Sequence, residues 1–232
     1  MIANGALAAT LYSASTWVVP VVIAVTFHEA AHGFVAHHFG DDTAWMAGRV
    51  TFNPLKHIDP FGTVVLPALL FMSAGFLFGY ARPVPVDFRR LVHPKRDMVW
   101  VALAGPVTNV LLAIASSLLY YAIDLAPESA ADWVAENLVH SLQINAVLCV
   151  FNMLPLPPLD GGRVAVGLLP RPLALPLARL EPYGMPILIL LLFVLPWLGS
   201  QTGFDLNIVG RLIEGPADAL IRFVLAITGQ NE

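Results

Sequence analysis

The stretch His28-Glu29-Ala30-Ala31-His32 decides how this chain is interpreted, because it lies inside an apolar segment that runs from Leu11 to Phe39. Glu29 is the only Asp, Glu, Lys or Arg in that segment. If the segment is a helix, residues i and i+4 share a face, so both imidazoles can bind one metal ion with Glu29 beside them. Ionisable side chains are costly in hydrocarbon, so this group predicts a functional site and not a packing feature.

The composition of the 232-residue chain predicts an integral membrane protein. Hydrophobic residues make up 57% of it and charged residues only 12%, whereas a soluble domain carries about 25% charged residues. The net charge of −4 gives no indication of nucleic-acid binding, and the single cysteine, Cys149, excludes an internal disulfide. We expect a single domain over residues 1–232, with a catalytic core at about 11–165 and C-terminal helices at about 184–228.

The spacing of the hydrophobic segments predicts an all-α polytopic membrane protein with about five to six transmembrane helices. A transmembrane helix requires about 20 mostly apolar residues. Five basic residues between positions 81 and 97 predict a cytoplasmic loop, whereas the acidic loop at 126–137 suits the outer side. The hydrophobic segments run approximately over 11–39, 61–80, 98–125, 138–155, 184–198 and 206–227.

The second hydrophobic segment, residues 61–80, has two possible topologies. Residues 43–60 are too polar to span a membrane and could form a short strand or hairpin at its surface. Arg49 and Lys56 weakly favour the cytoplasm for this linker, and segment two would then enter and leave the membrane on one face. The alternative is a full span with residues 43–60 outside. We expect the re-entrant arrangement, with a short β or re-entrant element between the first two hydrophobic segments.

Asp160 is the main candidate for a third metal ligand. A catalytic zinc site typically has three protein ligands and an open fourth position, and acids are scarce in the apolar segments. Asp160 follows a proline-rich break and precedes Gly161-Gly162, so a broken helix end can turn its carboxylate inward. The alternative is that Asp160 only caps a helix. The main rival acid, Asp124, falls on the acidic outer side.

These residues predict the chemistry of a zinc protease that works inside the bilayer. One Zn²⁺ ion would lower the pKa of a bound water molecule and polarise the scissile carbonyl. Glu29 would take the proton of that water and return it to the leaving amine.

At these positions the chain resembles the site-2 protease family of intramembrane zinc metalloproteases, over roughly residues 20–165. It looks like the compact prokaryotic type, because no stretch is long or polar enough for a PDZ or CBS domain. The motifs that carry the resemblance are His28-Glu29-Ala30-Ala31-His32, Asn53–Pro60, Gly105-Pro106-Val107-Thr108-Asn109 and Leu159-Asp160-Gly161-Gly162.

The resemblance implies a set of roles and partners. Glu29 is expected to be the catalytic base, and the expected ligands of one zinc ion are His28, His32 and Asp160. The implied substrates are single-pass transmembrane proteins, cut near the cytoplasmic face and often after a first cut by another protease. A prokaryotic plasma membrane fits the compact chain, with the active site toward the cytoplasm.

Several polar groups outside the motif have two readings. Asn109 and Asn152 are amides in apolar helices, where an unsatisfied amide is costly; they either join helices by hydrogen bonds or support the active site. The segment at 83–86, Pro-Val-Pro-Val, either pairs with an extended substrate or forms a rigid turn. His37 and His38 are expected to lie at the membrane surface and not to be extra ligands.

Two other functions compete with the protease hypothesis. A metal-binding membrane transporter would need acids or histidines along several spans and discontinuous helices in related halves, and the sequence has neither pattern. A client-binding scaffold would have no use for Glu29 beside the metal. We therefore expect an intramembrane zinc endopeptidase.

Overall fold

A computed structural model describes residues 2–65 and 82–230, and within these ranges the chain is helical and contains no strand. The described residues form nine α-helices: α1 (Ile2–His38), α2 (Thr43–Met46), α3 (Pro94–Tyr120), α4 (Ala131–Asn152), α5 (Asp160–Leu168), α6 (Arg171–Ala178), α7 (Gly184–Ile189), α8 (Leu195–Thr202) and α9 (Ile208–Thr228). Short 3₁₀ turns lie at Pro54–Lys56, Phe88–Arg90, Ile123–Leu125 and Glu181–Tyr183, and π-helical turns at Pro60–Val65 and Leu190–Val194.

Four helical stretches among the described residues are long and apolar enough to cross a membrane, as expected for an integral membrane protein. They are Ala8–His38, Pro94–Tyr120, Ala131–Asn152 and Arg171–Thr202. The last one combines α6, α7 and α8 with the turns between them. Helix α9, which was expected to be a sixth span, is formed but is not among the four, because Arg211, Glu214, Asp218 and Arg222 interrupt its apolar sequence. The expected number of five to six spans is therefore not confirmed.

The expected β element between the first two hydrophobic segments is not confirmed either. Within 43–60 the structure has α2 and a 3₁₀ turn, and no strand. The local sequence favours this turn, because Asn53 accepts a hydrogen bond from the backbone N–H of Leu55 and Pro54 occupies the first position of the turn. The question whether residues 61–80 span or re-enter falls mainly on residues 66–81, which lie outside the described residues.

Helix α3 is the central helix of the bundle and packs against α1, α4, α5 and α9. One buried cluster joins α1 to α3 through Ala36, Leu91 and Val101, and a second joins α3, α4 and α9 through Ala113, Leu142 and Val224. Small side chains at such contacts let helix backbones approach closely, which is how helices associate in lipid. The fully buried alanines include Ala24, Ala30, Ala36, Ala113 and Ala146.

The chain between α4 and α5 packs tightly against the start of α5, because the two glycines in the first turn of α5 carry no side chain. A Cβ atom on Gly161 would lie 2.2 Å from the carbonyl oxygen of Met153, and one on Gly162 would lie 2.3 Å from the backbone nitrogen of Pro157. Only glycine permits this close packing of the start of α5 on the preceding loop. As a result Asp160, the first residue of α5, points into the bundle and not outward.

Candidate active site

The structure brings together the two histidines and the aspartate that the sequence singled out, although Asp160 lies 128 positions after His32. The Nε2 atoms of His28 and His32 are 3.1 Å apart, and Asp160 Oδ2 lies 3.2 Å and 3.3 Å from them. All three residues are buried, with exposed fractions of 7%, 7% and 5%. We refer to these three side chains as the metal group, because their nitrogen and oxygen atoms are close enough to hold one ion.

Hydrogen bonds on the far side of each ring determine which nitrogen faces this group. His28 Nδ1 lies 2.6 Å from Oδ1 of Asn109, and His32 Nδ1 lies 2.7 Å from the carbonyl oxygen of Val101. Both oxygens are acceptors, so in each neutral ring Nδ1 carries the proton and donates it. The Nε2 atoms therefore turn unprotonated lone pairs toward each other and toward Asp160.

This arrangement fits a zinc ion. Three electron pairs that converge on one point repel one another unless a cation lies between them. Among the residues that the structure describes, none donates a hydrogen bond to the buried Asp160 Oδ2. Ligand atoms held about 2.0–2.2 Å from a tetrahedral zinc ion lie about 3.3–3.6 Å apart. The observed separations of 3.1 to 3.3 Å are close to those edges.

Gly105 on α3 leaves room beside the metal group. A Cβ atom added to it would lie 2.5 Å from Nε2 of His28 and 2.5 Å from Nε2 of His32. Because a real Cβ atom does not approach other atoms so closely, any side chain here would occupy the space in front of both nitrogens. Gly105 belongs to one of the motifs noted in the sequence, and its position explains why a glycine is needed there.

The capping alternative for Asp160 is not supported. Helix α5 begins at Asp160 itself, and its N-cap residue is Leu159, whose side chain makes no capping hydrogen bond. The carboxylate instead faces His28 and His32 of α1.

Glu29 directly follows His28 on α1 and lines the same cavity as the metal group. It is half-buried, and its Oε2 accepts a hydrogen bond of 2.7 Å from the backbone N–H of Val84. Both neighbours of Val84 are prolines, which have no N–H to donate. This single backbone donor therefore holds the Glu29 carboxylate at the cavity.

The cavity has a volume of about 900 Å³ and is lined mainly by apolar side chains. The described polar residues that line it are the metal group, Glu29, Asn152 and Arg163. A large apolar cavity with a few convergent polar groups is the usual form of a binding or active site.

The segment from 82 to 87 forms no helix or turn, and its residues 83–86 form one wall of this cavity. Its first carbonyl, on Arg82, accepts a hydrogen bond of 2.6 Å from Arg49, and the backbone N–H of Asp87 donates to the buried carboxylate of Asp41 over 2.6 Å. Burial lowers the pKa of the Arg49 guanidinium, and the neighbouring positive charge of Arg82 lowers it further. Side chains from outside the segment thus fix both ends of the wall that holds Glu29.

The two amides predicted as active-site support have different environments. Asn109 is fully buried between His28 and a second amide, Asn145, to which its Nδ2 donates over 2.8 Å. Asn152 is half-buried and lines the cavity, and its Nδ2 donates to the carbonyl of Leu148 in its own helix. Sequence reasoning missed Asn145. The signal was present, since Asn145 and Asn152 are seven residues apart and so share a face of α4.

The other two histidines of α1 take no part in the metal group. His37 and His38 are exposed, and His37 Nδ1 lies 2.6 Å from the carboxylate of Asp42 at the surface.

The chain is similar to three proteins that each carry the name "Putative zinc metalloprotease". YwhC of Bacillus subtilis is 39% identical over 214 residues, which cover 90% of this chain and 91% of that protein. Rip2 of Mycobacterium tuberculosis is 30% identical over 210 residues, which cover 87% of this chain and 78% of Rip2. MJ0611 of Methanocaldococcus jannaschii is 32% identical over 142 residues, which cover 60% of this chain and 62% of MJ0611. No family model and no solved structure matches the chain.

Proposed function

Because the chain belongs to the site-2 protease family of zinc metalloproteases, we propose that it is an endopeptidase that cuts other proteins within or near their transmembrane segments. Its membership confirms the predicted enzyme class and the predicted cofactor, one zinc ion. Its apolar helices and its relatives indicate an integral membrane protein. The location of the cut, the substrates and the residue roles described below are parts of the proposal.

The metal group is the observation that most directly supports this function. His28, His32 and Asp160 would hold the zinc ion through Nε2, Nε2 and Oδ2, and the two rings are already in the tautomer that a metal ligand requires. When bound there, zinc supplies Lewis acidity toward a carbonyl oxygen and lowers the pKa of a water molecule. The surrounding apolar helices limit the access of other water to the site.

Glu29 would move the proton. The backbone N–H of Val84 holds its carboxylate at the cavity. Val84 belongs to the cavity wall that we expect an entering peptide to contact. From there Glu29 would take a proton from the attacking water and deliver it to the nitrogen of the leaving amine.

The shape of the cavity supports an extended substrate. A peptide bond in a helix has its carbonyl hydrogen-bonded within the helix, so a transmembrane substrate must unwind before that carbonyl can react. The wall at 83–86 forms no helix, and its two prolines disfavour a helical backbone in the residues before them, so we expect an unwound substrate strand to lie alongside it. Asn152 and Arg163 lie on the same cavity and are the polar side chains available to a substrate carbonyl or carboxylate.

We place the active site toward the cytoplasm of a prokaryotic plasma membrane. Basic residues favour the cytoplasmic side of membrane proteins, and the five at 81–97 follow or belong to the wall that holds Glu29.

The proposal is tested with purified full-length protein in detergent and transmembrane model substrates. We expect the wild type to cut them and a zinc chelator to stop the cleavage. Glu29→Gln should keep its zinc and lose about 10²–10⁴-fold in rate, because general acid–base catalysis contributes that much. The matched control is Glu136→Gln, the same change at an exposed position of α4 away from the cavity, which should cut like the wild type.

Two results would contradict the proposal. A wild type that binds zinc and cuts none of the substrates would favour a metal carrier or a scaffold. Cleavage that survives Glu29→Gln unchanged would remove Glu29 from the mechanism.

A further inference from the structure

A line of hydrogen-bonded side chains leads from His28 away from the cavity into the contact between α3 and α4. Asn109 Oδ1 lies 2.6 Å from His28 Nδ1, and Asn109 Nδ2 donates to Asn145 Oδ1 over 2.8 Å. Asn145 Nδ2 then donates to the backbone carbonyl of Ser141 over 2.8 Å. Both asparagines are fully buried, so each amide must find its partners inside the protein.

The carbonyl of Ser141 determines the orientation of every group in this line. A side-chain amide can be turned to exchange its oxygen and nitrogen, but a backbone carbonyl can only accept. Asn145 must therefore direct Nδ2 to Ser141 and Oδ1 to Asn109. Asn109 must in turn direct Nδ2 to Asn145 and Oδ1 to His28. His28 then carries its proton on Nδ1 and turns the lone pair of Nε2 toward the metal group.

His28 and His32 differ in how this orientation is obtained. His32 Nδ1 donates directly to a backbone carbonyl, that of Val101, which cannot change its polarity. His28 reaches its backbone carbonyl only through two amides. Its tautomer thus depends on Asn145, whose described hydrogen bonds are to Asn109 and Ser141 and not to the metal group.

We propose that Asn145 is a positioning residue of the metal centre, which holds the amide of Asn109 so that His28 stays in the tautomer that binds zinc. Without Asn145, the amide of Asn109 is free to turn. A turned amide would offer N–H to His28 Nδ1, and the ring proton would then sit on Nε2, where it blocks the metal. The assignment rests on the proposed role of His28 as a zinc ligand.

The first test measures zinc affinity, by competition with a chelator of known affinity, on the full-length protein in detergent. Asn145→Leu should lower the affinity for zinc about 10-fold, which is the lower end of the effect of removing a partner of a metal ligand. The matched control is Asn137→Leu on the same helix. Asn137 is also buried, with an exposed fraction of 9%, and donates to the carbonyl of Trp133, two turns away from Asn145. This control should bind zinc as tightly as the wild type.

The second test asks whether Asn145 acts through Asn109. Asn109→Leu should itself weaken zinc binding about 10- to 100-fold, and adding Asn145→Leu should cause no further loss, because the residue that it orients is gone. Losses that multiply in the double variant would mean that Asn145 acts by another route, and the proposal would fail.

Folding is checked by circular dichroism and by thermal unfolding of the metal-free proteins. If the larger leucine side chain prevents folding, Asn145→Ala removes the same two hydrogen bonds without adding bulk, and the same loss is expected. A folded Asn145 variant that binds zinc like the wild type, or an equal loss in Asn137→Leu, would overturn the role of Asn145. If His28→Ala binds zinc as tightly as the wild type, the proposed ligand set is wrong instead.

Discussion

Two polar clusters in this bundle differ in how their hydrogen bonds terminate. Near the C-terminal end of α3, the hydroxyl of Ser117 lies 2.7 Å from that of Thr228, and Gln230 exchanges two hydrogen bonds with Ser117. Tyr121, which is itself exposed, donates to the carbonyl of Thr228 over 2.8 Å at the edge of this cluster. At the cavity, by contrast, the hydrogen bonds stop at three atoms that face one another without a proton between them. The first cluster, which we call the closed cluster, has its hydrogen bonds satisfied within itself and joins helices. The second, the metal group, is the open cluster, because it ends in convergent acceptors that require a cation.

Removing a proposed ligand from the open cluster should have the largest effect. His32→Ala should bind no zinc and lose all cleavage above background, because only two of the three proposed ligands remain. Metal content and substrate cleavage of the purified variant measure this. His140→Ala is the matched control, since His140 on α4 also places Nδ1 near a backbone carbonyl, that of Thr16 at 3.0 Å, and is absent from the metal group. Zinc retained in His32→Ala at the wild-type level would contradict the assignment.

A methyl group in front of the open cluster should have the next largest effect. Gly105→Ala places a Cβ atom in the space before both Nε2 atoms, so we expect zinc affinity to fall at least 10-fold, comparable to losing a partner of a metal ligand. Zinc titration against a competing chelator measures the fall.

The same substitution elsewhere on the chain separates this steric effect from a change in helix propensity. A Cβ atom on Gly215 of α9 would meet nothing within 4 Å. Gly215→Ala should therefore keep full zinc affinity and gain up to about 1 kcal/mol in free energy of unfolding, because alanine favours helices. Equal zinc losses in the two variants would contradict the steric explanation.

A change in the closed cluster should have the smallest effect on function. Thr228→Val keeps the shape of the side chain and removes its hydroxyl, so we expect a loss of about 1 kcal/mol in the free energy of unfolding. Zinc affinity and cleavage should stay at wild-type values. Denaturant unfolding in detergent together with a zinc titration tests both, and a variant of normal stability with weakened zinc binding would erase the distinction between the clusters.

The sequence was sufficient to predict the metal group because its chemistry is local to two motifs. The spacing of His28 and His32 places both rings on one helix face, and the prolines and glycines around Asp160 mark it as a helix end that can turn inward. The apolar segments likewise predicted α1, α3 and α4. Four of their six ends lie within five residues of the expected positions, whereas α1 starts nine residues earlier and α4 starts seven residues earlier than expected. The charges of Asp132 and Glu136 had suggested a loop there, but acidic residues are favourable in the first turns of a helix.

What the sequence could not predict depends on which faces meet. The pairing of Asn109 with Asn145 requires the register between α3 and α4, and periodicity gives the face of each helix but not its partner. The space in front of the histidine nitrogens at Gly105 depends on how α1, α3 and α5 pack together. Residues 43–60 contain β-prone pieces, yet a strand needs a neighbour to pair with, and the described structure provides turn-forming contacts at Asn53 instead.

The buried alanines carry a consequence for how this protein can change over time. Ala30 lies between the two histidines on α1, Ala102 follows the carbonyl that orients His32, and Ala146 follows Asn145 on α4, and each is at most 1% exposed. Side chains of this size set the spacing between helix axes. The distances between the atoms of the metal group, and so the size of the ion that fits, therefore depend partly on residues without any reactive group. Drift in metal preference within such a lineage could therefore begin with an alanine exchanged for glycine or serine, while all of the ligands stay the same.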